Sequence, residues 1–597
     1  MIRLLSGATG EAPQQPGSKS VVSKALVFSC LMLGLATWFL VFARHGFNPT
    51  DDGFVLAQSW RILQGEVPHA DFVSPRPLGS AVLHVLDVLP PWPTLLWSRL
   101  LVTLQMAWIT FALLDIGVPR IPKRFTLVGA LFPLAFVTNW NTFPLMAWHA
   151  IDGVFVGALG LWFVIRGPRR FSVEKSVIIG LTICGCSPLM KQGFLIIPAV
   201  GILLAVNRLT RRRLLISMTA LIGPAVFAVY LLAVAGLNSL LQTLRGAPGP
   251  TPFPPKGQGL LPFVAPALEA LISRPAALLC AVALLAALMS RSSQFWLRFA
   301  SIALATVSFI ILMWQSKFVY DGNWTYLVVA SMWIIGGLGR SLRMVWPAYV
   351  AITALAIGAA TSWGVPYPAI VAGSALALCF ASLAMTPSVM AEREIGVGVL
   401  TLIIVLSCAI AICGSFWRSR LLYQQGTLSS ASTAVDLPAL RQVSVTSGTA
   451  VYLQEAERCI RLYPARKVSV VPDSAGLAPL LRFHQAFSLD WWWVWERTPA
   501  AESALRADVD RLNTEGNFLV LQQTYPLIGR TLADQVGVRR GAWREVAGEY
   551  YWQESRSRLL HGSGAPSYYL PSDGELLKHL DGKRIRCGPF IGIWNVR

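Results

Sequence analysis

Two adjacent carboxylates, Asp51 and Asp52, are the clearest concentration of reactive side chains in the sequence. Carboxylates can take a proton from a hydroxyl group or bind a divalent cation. An aspartate here could instead cap a helix predicted to begin at residue 53, which is a common structural role. Residues 1–415 contain only 13 acidic side chains, and five of them lie between residues 51 and 87. This scarcity favours a functional role for the pair.

Few basic side chains are expected on the same side of the membrane as this pair. Lys191 lies in SPLMKQG and could bind a phosphate or extend its ammonium group to the membrane interface. Lys317 lies in QSKFVYDGNWTY, close to Tyr320. These two could bind sugar hydroxyls or anchor a helix in an aromatic belt, and the sequence does not decide between the two roles.

Asp152 stands at the start of an apolar segment, where an ionised side chain is costly unless it has a partner. His149, one helical turn earlier, could be that partner. It could also be a satisfied interfacial histidine, which is the commoner outcome.

The elements that must position these residues are membrane helices. The chain has 597 residues, of which 54% are hydrophobic and 13% charged, and this composition excludes a soluble globular protein. Stretches long enough to cross about 30 Å of hydrocarbon predict thirteen spans. They are 25–43, 94–117, 125–138, 150–166, 175–189, 192–207, 214–236, 275–290, 298–314, 324–339, 344–361, 367–385 and 396–415.

The topology follows from the arginines and lysines, which recur in alternate loops and mark the cytosolic side. The net charge of +20 therefore reflects these loops, and no nucleic-acid partner is predicted. We expect three parts: a disordered cytosolic tail at 1–22, a transmembrane domain at 23–415, and an extracytoplasmic domain at 416–597. Segment 237–274 contains a Pro/Gly run and is predicted as an irregular outer loop.

The part from residue 416 has ordinary soluble composition and is predicted as a small α/β domain. VSVTSGTAVYL and FLVLQQTY suggest strands, and AESALRADVDRLN suggests an amphipathic helix. Cys459 and Cys587 could form a disulfide or remain two buried thiols. Trp491 to Trp493 could rest on the bilayer or stack against a glycan.

The long outer loop at 44–93 carries most of the candidate residues, and long ordered loops are commonly functional. Within it, Gly53 to Gln64 has apolar residues spaced for a helix lying flat on the bilayer, which places Asp51 and Asp52 at the membrane boundary.

This loop resembles the first outer loop of the GT-C glycosyltransferases that use polyprenyl-phosphate sugars, such as protein O-mannosyltransferases and the bacterial aminoarabinose transferase of lipid A. The resemblance is clearest in TDDGFVLAQSWRILQGEVPHADFVSPRPLGS. It comprises an acidic pair after the first span, a surface helix with an arginine, a Gly-acidic step at Gly65 and Glu66, and a basic turn containing Arg76. Leu78 replaces the second proline usual in that turn.

The resemblance implies a GT-C fold and transfer of a sugar from a polyprenyl-phosphate donor with inversion at the anomeric carbon. Asp51 would be the base, and Asp52 would orient the acceptor or share a divalent metal ion. Arg76 and Lys191 would hold the donor phosphate. The residues expected to contact substrate are Asp152, His149, Glu66, Lys317 and Tyr320.

Other classes remain alternatives. The sequence contains no P-loop and no zinc-type cluster, and arginine outnumbers lysine 40 to 10, which hints at a GC-rich bacterial genome. We therefore expect a bacterial cytoplasmic membrane protein acting on a cell-envelope glycan or glycolipid. A secondary transporter or flippase is the main alternative, although its ionisable groups should lie near the bilayer midplane. A non-catalytic sensor is the third.

Overall fold

The computed structural model describes much of the membrane part and of the C-terminal part. The described residues are 31–49, 51–74, 76–90, 93–118, 124–167, 172–206, 213–245, separate positions between 282 and 307, 322–338, 342–360, 370–384, 431–471, 474–492, 499–523, 576–588 and 590–596. The predicted tail at 1–22, the predicted span at 396–415, and Lys317 and Tyr320 lie outside these residues.

Within the described residues, three helices are long and apolar enough to cross a membrane: Thr94–Gly117, His149–Arg166 and Leu214–Val234. They match the predicted spans at 94–117, 150–166 and 214–236. Shorter apolar helices overlap six further predicted spans: Leu31–Phe42, Leu127–Asn141, Gln192–Ala205, Val328–Gly337, Val345–Ala360 and Ala372–Leu383. The total of thirteen spans stays a prediction.

The helices of the membrane part are numbered in chain order. They are α1 Leu31–Phe42, α2 Phe54–Leu63, α3 Gly79–Leu83, α4 Val85–Val88, α5 Thr94–Gly117, α6 Arg124–Asn141, α7 His149–Arg166, α8 Val173–Cys186, α9 Ile196–Ala205, α10 Arg213–Met218, α11 Ile222–Val234, α12 Gly236–Arg245, α13 Gly322–Leu338, α14 Leu342–Ala360 and α15 Ala372–Ala384. The outer segment predicted to be irregular from residue 237 thus begins as a helix, α12.

The core of the membrane part is built around α5 and α7, which pack on each other and on α14. Close approach between α7 and α8 depends on a small residue, because a Cβ on Gly160 would lie 2.7 Å from the backbone nitrogen of Cys184. Asn139 joins α6 to the start of α15 by accepting hydrogen bonds from the backbone of Gly373 and Ser374. These contacts hold α5 and α7 in fixed positions beneath the outer loop.

The C-terminal part is an α/β domain, as predicted. Its elements are β1 Thr433–Ala434, β2 Ser444–Val445, α16 Ser447–Leu462, β3 Lys467–Val471, α17 Leu477–Leu481, β4 His484–Gln485, α18 Pro499–Glu515, β5 Phe518–Gln523, β6 Lys583–Cys587 and β7 Phe590–Asn595. Five strands form one sheet in the order β4-β3-β5-β7-β6. β3 lies parallel to β4 and β5, whereas β7 lies antiparallel to β5 and β6.

The sheet carries a helix on each face. Leu519 and Leu521 of β5 pack with α16, whereas Phe518 and Val520 pack with α18, as the two-residue period of a strand requires. The predicted strand in VSVTSGTAVYL is wrong beyond Val445, because Thr446 accepts a hydrogen bond from the backbone nitrogen of Thr449 and begins α16.

A disulfide joins Cys459 of α16 to Cys587 of β6, with a Cα–Cα distance of 5.8 Å. The sequence left open whether these two cysteines pair, since it gives no distance between them. The bond fastens α16 to the far edge of the sheet.

The outer loop and the C-terminal domain share one hydrophobic core, which corrects the predicted position of α2. Phe54 and Trp60 of α2 are buried against the domain, and the Trp60 indole donates to the carbonyl of Phe483 at 2.9 Å. Gly53 and Gly476 meet so closely that a Cβ on Gly53 would lie 2.1 Å from Cα of Gly476. The apolar face of α2 therefore packs on protein and does not rest on the bilayer.

Candidate active site

The carboxylate pair lies in the tight connection between α1 and α2. The backbone nitrogen of Asp52 donates to the carbonyl of Asn48, and that of Phe54 donates to the carbonyl of Asp51. The residue at the N-cap of α2 is Gly53, not Asp51. Asp51 and Asp52 are both buried, at 4% and 5% exposure.

Asp52 is held in place by Arg99 of α5. Its Oδ2 accepts from Arg99 Nη2 at 3.1 Å and from the backbone nitrogen of Asn48 at 3.0 Å. Burial raises the pKa of Asp52, and the neighbouring guanidinium of Arg99 offsets this effect only in part. The arrangement assigns Asp52 a positioning role in the connection.

Arg99 also organises the backbone around the pair. It donates to the carbonyls of Ala43 and Gly46 at 2.7 Å and 2.6 Å. Arg99 was not among the site residues predicted from the sequence, although an arginine within a long apolar helix is costly and is commonly retained for a function. This energetic cost is the sequence signal that could have identified Arg99.

Arg76, predicted to hold phosphate, lies inside the protein among aromatic rings. Its guanidinium carbon is 5.2 Å from the ring centre of Phe54, 6.0 Å from that of Trp148 and 5.9 Å from that of Trp491. Its Nη1 lies 3.3 Å from Nε2 of His149, at the start of α7. We call Phe54, Trp148 and Trp491 the aromatic cage.

The turn after Arg76 explains why this chain departs from the resemblance at Leu78. Leu78 has φ of +63°, in the left-handed region. A proline, whose ring fixes φ near −65°, could not adopt this conformation. Leu78 is buried with Phe72 and Ala81, so its side chain also packs the loop.

Lys191, the second predicted phosphate ligand, reaches the same place from the connection between α8 and α9. It is buried, and its Nζ donates to the carbonyl of Ala359 at 3.0 Å, so it does not extend to the membrane interface. Burial, reinforced by the positive charge of Arg76, lowers the pKa of Lys191 to about 7. Two cations predicted separately from the sequence thus lie within electrostatic reach of each other.

Asp152 has a different partner from the one considered in the sequence. Its Oδ1 lies 2.9 Å from Nε2 of His84 and 3.1 Å from Nε2 of Gln105, whereas His149 contacts Arg76. His84 also contacts Asp87 through Nδ1 at 2.7 Å. Burial lowers the pKa of His84, but the two carboxylates outweigh burial and raise it to about 10.

His84 was missed because its second carboxylate is 68 residues away in sequence. The available signal was the spacing of His84 and Asp87, three residues apart in an acid-poor chain. The two carboxylates and the imidazolium make a buried ionic triad that links the outer loop to α7.

Glu66 lies beside the C-terminal domain. It accepts from Arg61 of α2 at 2.8 Å, and Arg61 also pairs with Asp490 of the domain at 2.9 Å. Its predicted role in substrate binding stays a prediction. Among the residues that the structure describes, no group of three or more His, Cys, Asp or Glu side chains could hold a metal ion.

Comparison with known proteins gives one remote likeness. No family model matches the sequence, and no curated protein matches it at a significant level. The crystal structure of ArnT from Cupriavidus metallidurans bound to undecaprenyl phosphate aligns over 97% of this chain and 99% of that chain, with 10% sequence identity and a TM-score of 0.36. So low a TM-score does not establish a common fold, and the chemistry of this site rests on its own residues.

The carboxylates and the cations are linked through Phe54. Phe54 follows Asp52 by two residues, and its ring lies against both Arg76 and His149. A buried pair of carboxylates beside a buried group of cations can accept a proton on one side and stabilise an anionic leaving group on the other.

Proposed function

We propose that this protein is a membrane glycosyltransferase of GT-C type. It moves a sugar from a polyprenyl-phosphate donor to a glycan or glycolipid acceptor on the outer face of the bacterial cytoplasmic membrane. Its N-terminus is cytosolic and its C-terminal domain is extracytoplasmic.

The observation that carries the proposal is that the buried Arg76 and Lys191 lie close together, and that Arg76 packs on the ring two residues after the Asp51–Asp52 pair. These four residues come from the first outer loop and from the connection between α8 and α9, which are more than one hundred residues apart in sequence. Two buried cations can stabilise a bound anion, because water screens their charges only weakly. A lipid-linked phosphate is such an anion, and it can reach a buried site from the bilayer.

Each residue then has a step in the transfer. Asp51 takes the proton of the acceptor hydroxyl, and the oxygen attacks the anomeric carbon from the face opposite the phosphate, which inverts that centre. The bond from the anomeric carbon to the phosphate oxygen breaks, and Arg76 and Lys191 hold the departing lipid phosphate. Asp52, fixed by Arg99, orients the acceptor. A divalent ion shared by Asp51 and Asp52 stays a proposal within this scheme.

The test compares Asp51→Asn with Asp71→Asn in purified protein in lipid nanodiscs. Asp71 lies in the same loop but is exposed, so its variant controls for altered loop charge. Loss of a general base should lower the transfer rate about 10²- to 10⁴-fold in Asp51→Asn. Asp71→Asn should keep the wild-type rate.

The donor is identified first, by mass analysis of lipid-linked sugars and envelope glycans in a deletion strain. A lipid-linked sugar that accumulates while one glycan loses that sugar gives both donor and product. Full activity of Asp51→Asn with that donor would remove the catalytic assignment. Movement of the intact lipid across the membrane without transfer would favour a flippase.

A further inference from the structure

We propose that the C-terminal domain is part of the donor site, with Trp491 as a positioning residue that holds Arg76 where the phosphate binds. This inference rests on the proposed function, because it assigns Arg76 to the donor phosphate. It gives the domain a defined role in recognising the lipid-linked phosphate.

The first observation is that the aromatic cage is assembled from three distant segments. Phe54 comes from α2, Trp148 precedes α7, and Trp491 comes from the C-terminal domain. Phe54 and Trp491 stack with ring centres 3.9 Å apart, and Trp148 lies 5.8 Å from Trp491. Without the domain, the cage would lose one of its three rings and the stacking partner of another.

The second observation concerns what the rings do to the guanidinium. Each ring centre lies within about 6 Å of the Arg76 carbon, the range in which an aromatic face attracts a cation. Trp491 and Phe54 are both almost fully buried, so this attraction is weakly screened by water. A cation held by ring faces is placed ready for a phosphate, because less order must be imposed when the ligand arrives.

The third observation is that the segment carrying Trp491 is anchored to the outer loop. Arg61 of α2 donates to Asp490 Oδ1 at 3.0 Å and to the carbonyl of Phe487. The backbone nitrogen of Val73 donates to the carbonyl of Ser488 at 2.9 Å. Arg61 and Phe54 lie seven residues apart and hence on one face of α2, so the same helix fixes the segment and supplies a ring.

The neighbouring Trp492 provides a matched control. It is buried to a similar degree, but its ring packs edge-on against Phe487 within the core of the domain. The sequence left open whether Trp491 to Trp493 rest on the bilayer or stack against a glycan. Trp493 lies outside the described residues. Of the other two, Trp491 faces the membrane domain, and Trp492 faces the interior of its own domain.

The experiment measures binding of a polyprenyl phosphate and of the matching polyprenol, which lacks the phosphate, to the full-length protein in nanodiscs. The variants are Trp491→Leu, Trp491→Phe, Trp492→Leu and Arg76→Gln. We expect Trp491→Leu to weaken binding of the phosphate roughly 2- to 30-fold, the range of a cation–π contact. Trp491→Phe, which keeps a ring, should retain most of the affinity, and Trp492→Leu should retain it fully.

The donor kinetics give a second readout that a merely structural role would not produce. Trp491→Leu should raise the KM for donor and leave kcat at saturating donor nearly unchanged. If that variant does not fold, site-specific fluorinated tryptophan at position 491 keeps size and shape while weakening the negative face of the ring. Affinity should then fall stepwise as fluorine atoms are added.

The outcomes separate this inference from the proposed function. If Arg76→Gln loses phosphate-dependent binding while Trp491→Leu keeps it, the role of Trp491 is wrong and the phosphate site stands. If Arg76→Gln binds the polyprenyl phosphate as wild type does, both are wrong. Equal weakening in Trp491→Leu and Trp492→Leu would mean general loosening of the domain and would also overturn the inference.

Discussion

At the scale of single residues, the site depends on charges that burial has made sensitive to their neighbours. Asp52 is stabilised by Arg99, and His84 by two carboxylates. Lys191 is different, since its ammonium group donates to a neutral carbonyl and the nearby Arg76 opposes its charge. A bound phosphate would bring a negative charge to Lys191 and so favour its charged form.

Lys191 therefore predicts how donor binding depends on pH. Its pKa of about 7 means that the lysine is charged below pH 7 and increasingly neutral above it. A sugar phosphodiester keeps one negative charge throughout this range, so its affinity should fall as pH rises above 7, by up to about tenfold per pH unit. The measurement is the dissociation constant of the donor from pH 6 to 9.

Lys191→Arg is the control for this pH dependence, because arginine stays charged over the whole range. Its dissociation constant should change much less between pH 6 and 9. A wild-type affinity that is constant over this interval would show that Lys191 does not bind the phosphate.

At the scale of elements, the outer loop is joined to the membrane helices by buried polar contacts rather than by apolar packing alone. Ser98 and Gln105 of α5 extend the ionic triad at both ends, through Asp87 and Asp152. Arg99, on the same helix, holds Asp52. One helix thus aligns the carboxylate pair with the start of α7.

The triad predicts a loss of stability at high pH. His84 has a pKa near 10 in the folded protein and 6.5 as the ordinary value, so its contribution is complete below about pH 6.5 and is lost as pH rises toward 10. The thermal midpoint of wild type should fall over this interval. His84→Gln leaves two buried carboxylates without their cation and should cost about 3–5 kcal/mol at pH 6.5.

His84→Gln also serves as the control for the pH dependence of the thermal midpoint. His84→Gln has no titrating group at this position, so its thermal midpoint should vary less between pH 6.5 and 10. Parallel pH slopes in wild type and His84→Gln would contradict the assignment of this titration to His84.

Local sequence predicted those elements whose signal is local. The apolar run of α5 is long, and its predicted limits, 94–117, are those of the helix. The period of FLVLQQ likewise predicted β5. VSVTSGTAVYL failed because its alternation is short and Thr446, a good helix cap, ends the strand after Val445.

The site was predictable only in part, because some of its contacts join segments that are distant in the sequence. Arg76 and Lys191 were recognisable as cations in unusual places, and the structure brings them together. Trp491 lies more than four hundred residues from Phe54, and no pattern near either residue indicates that their rings stack. Contacts between distant segments are set by tertiary packing, which local periodicity does not encode.

At the scale of the whole molecule, the C-terminal domain and the outer loop behave as one packed unit over the carboxylate pair. Their shared core includes residues from α2, α16 and β3. The tightest point of contact is Gly476, where a Cβ would lie 2.6 Å from Cα of Gly53 and 2.7 Å from the carbonyl oxygen of Pro49. These neighbours are backbone atoms, so no flexible side chain could move aside to make room for a Cβ at position 476.

Gly476→Val should therefore separate the domain from the loop that carries Asp51 and Asp52. Overpacking against backbone costs about 1–3 kcal/mol or more, and relief requires a shift of the whole domain. Because that shift moves both the carboxylate connection and Trp491, transfer should fall at least about tenfold.

Gly337→Ala, which meets nothing within 4 Å, is the matched control and should remain active. The domain should still form its Cys459–Cys587 bond, measured by mass analysis without reductant. A Gly476→Val protein with this bond and wild-type transfer would show that the close seating of the domain is not needed for activity.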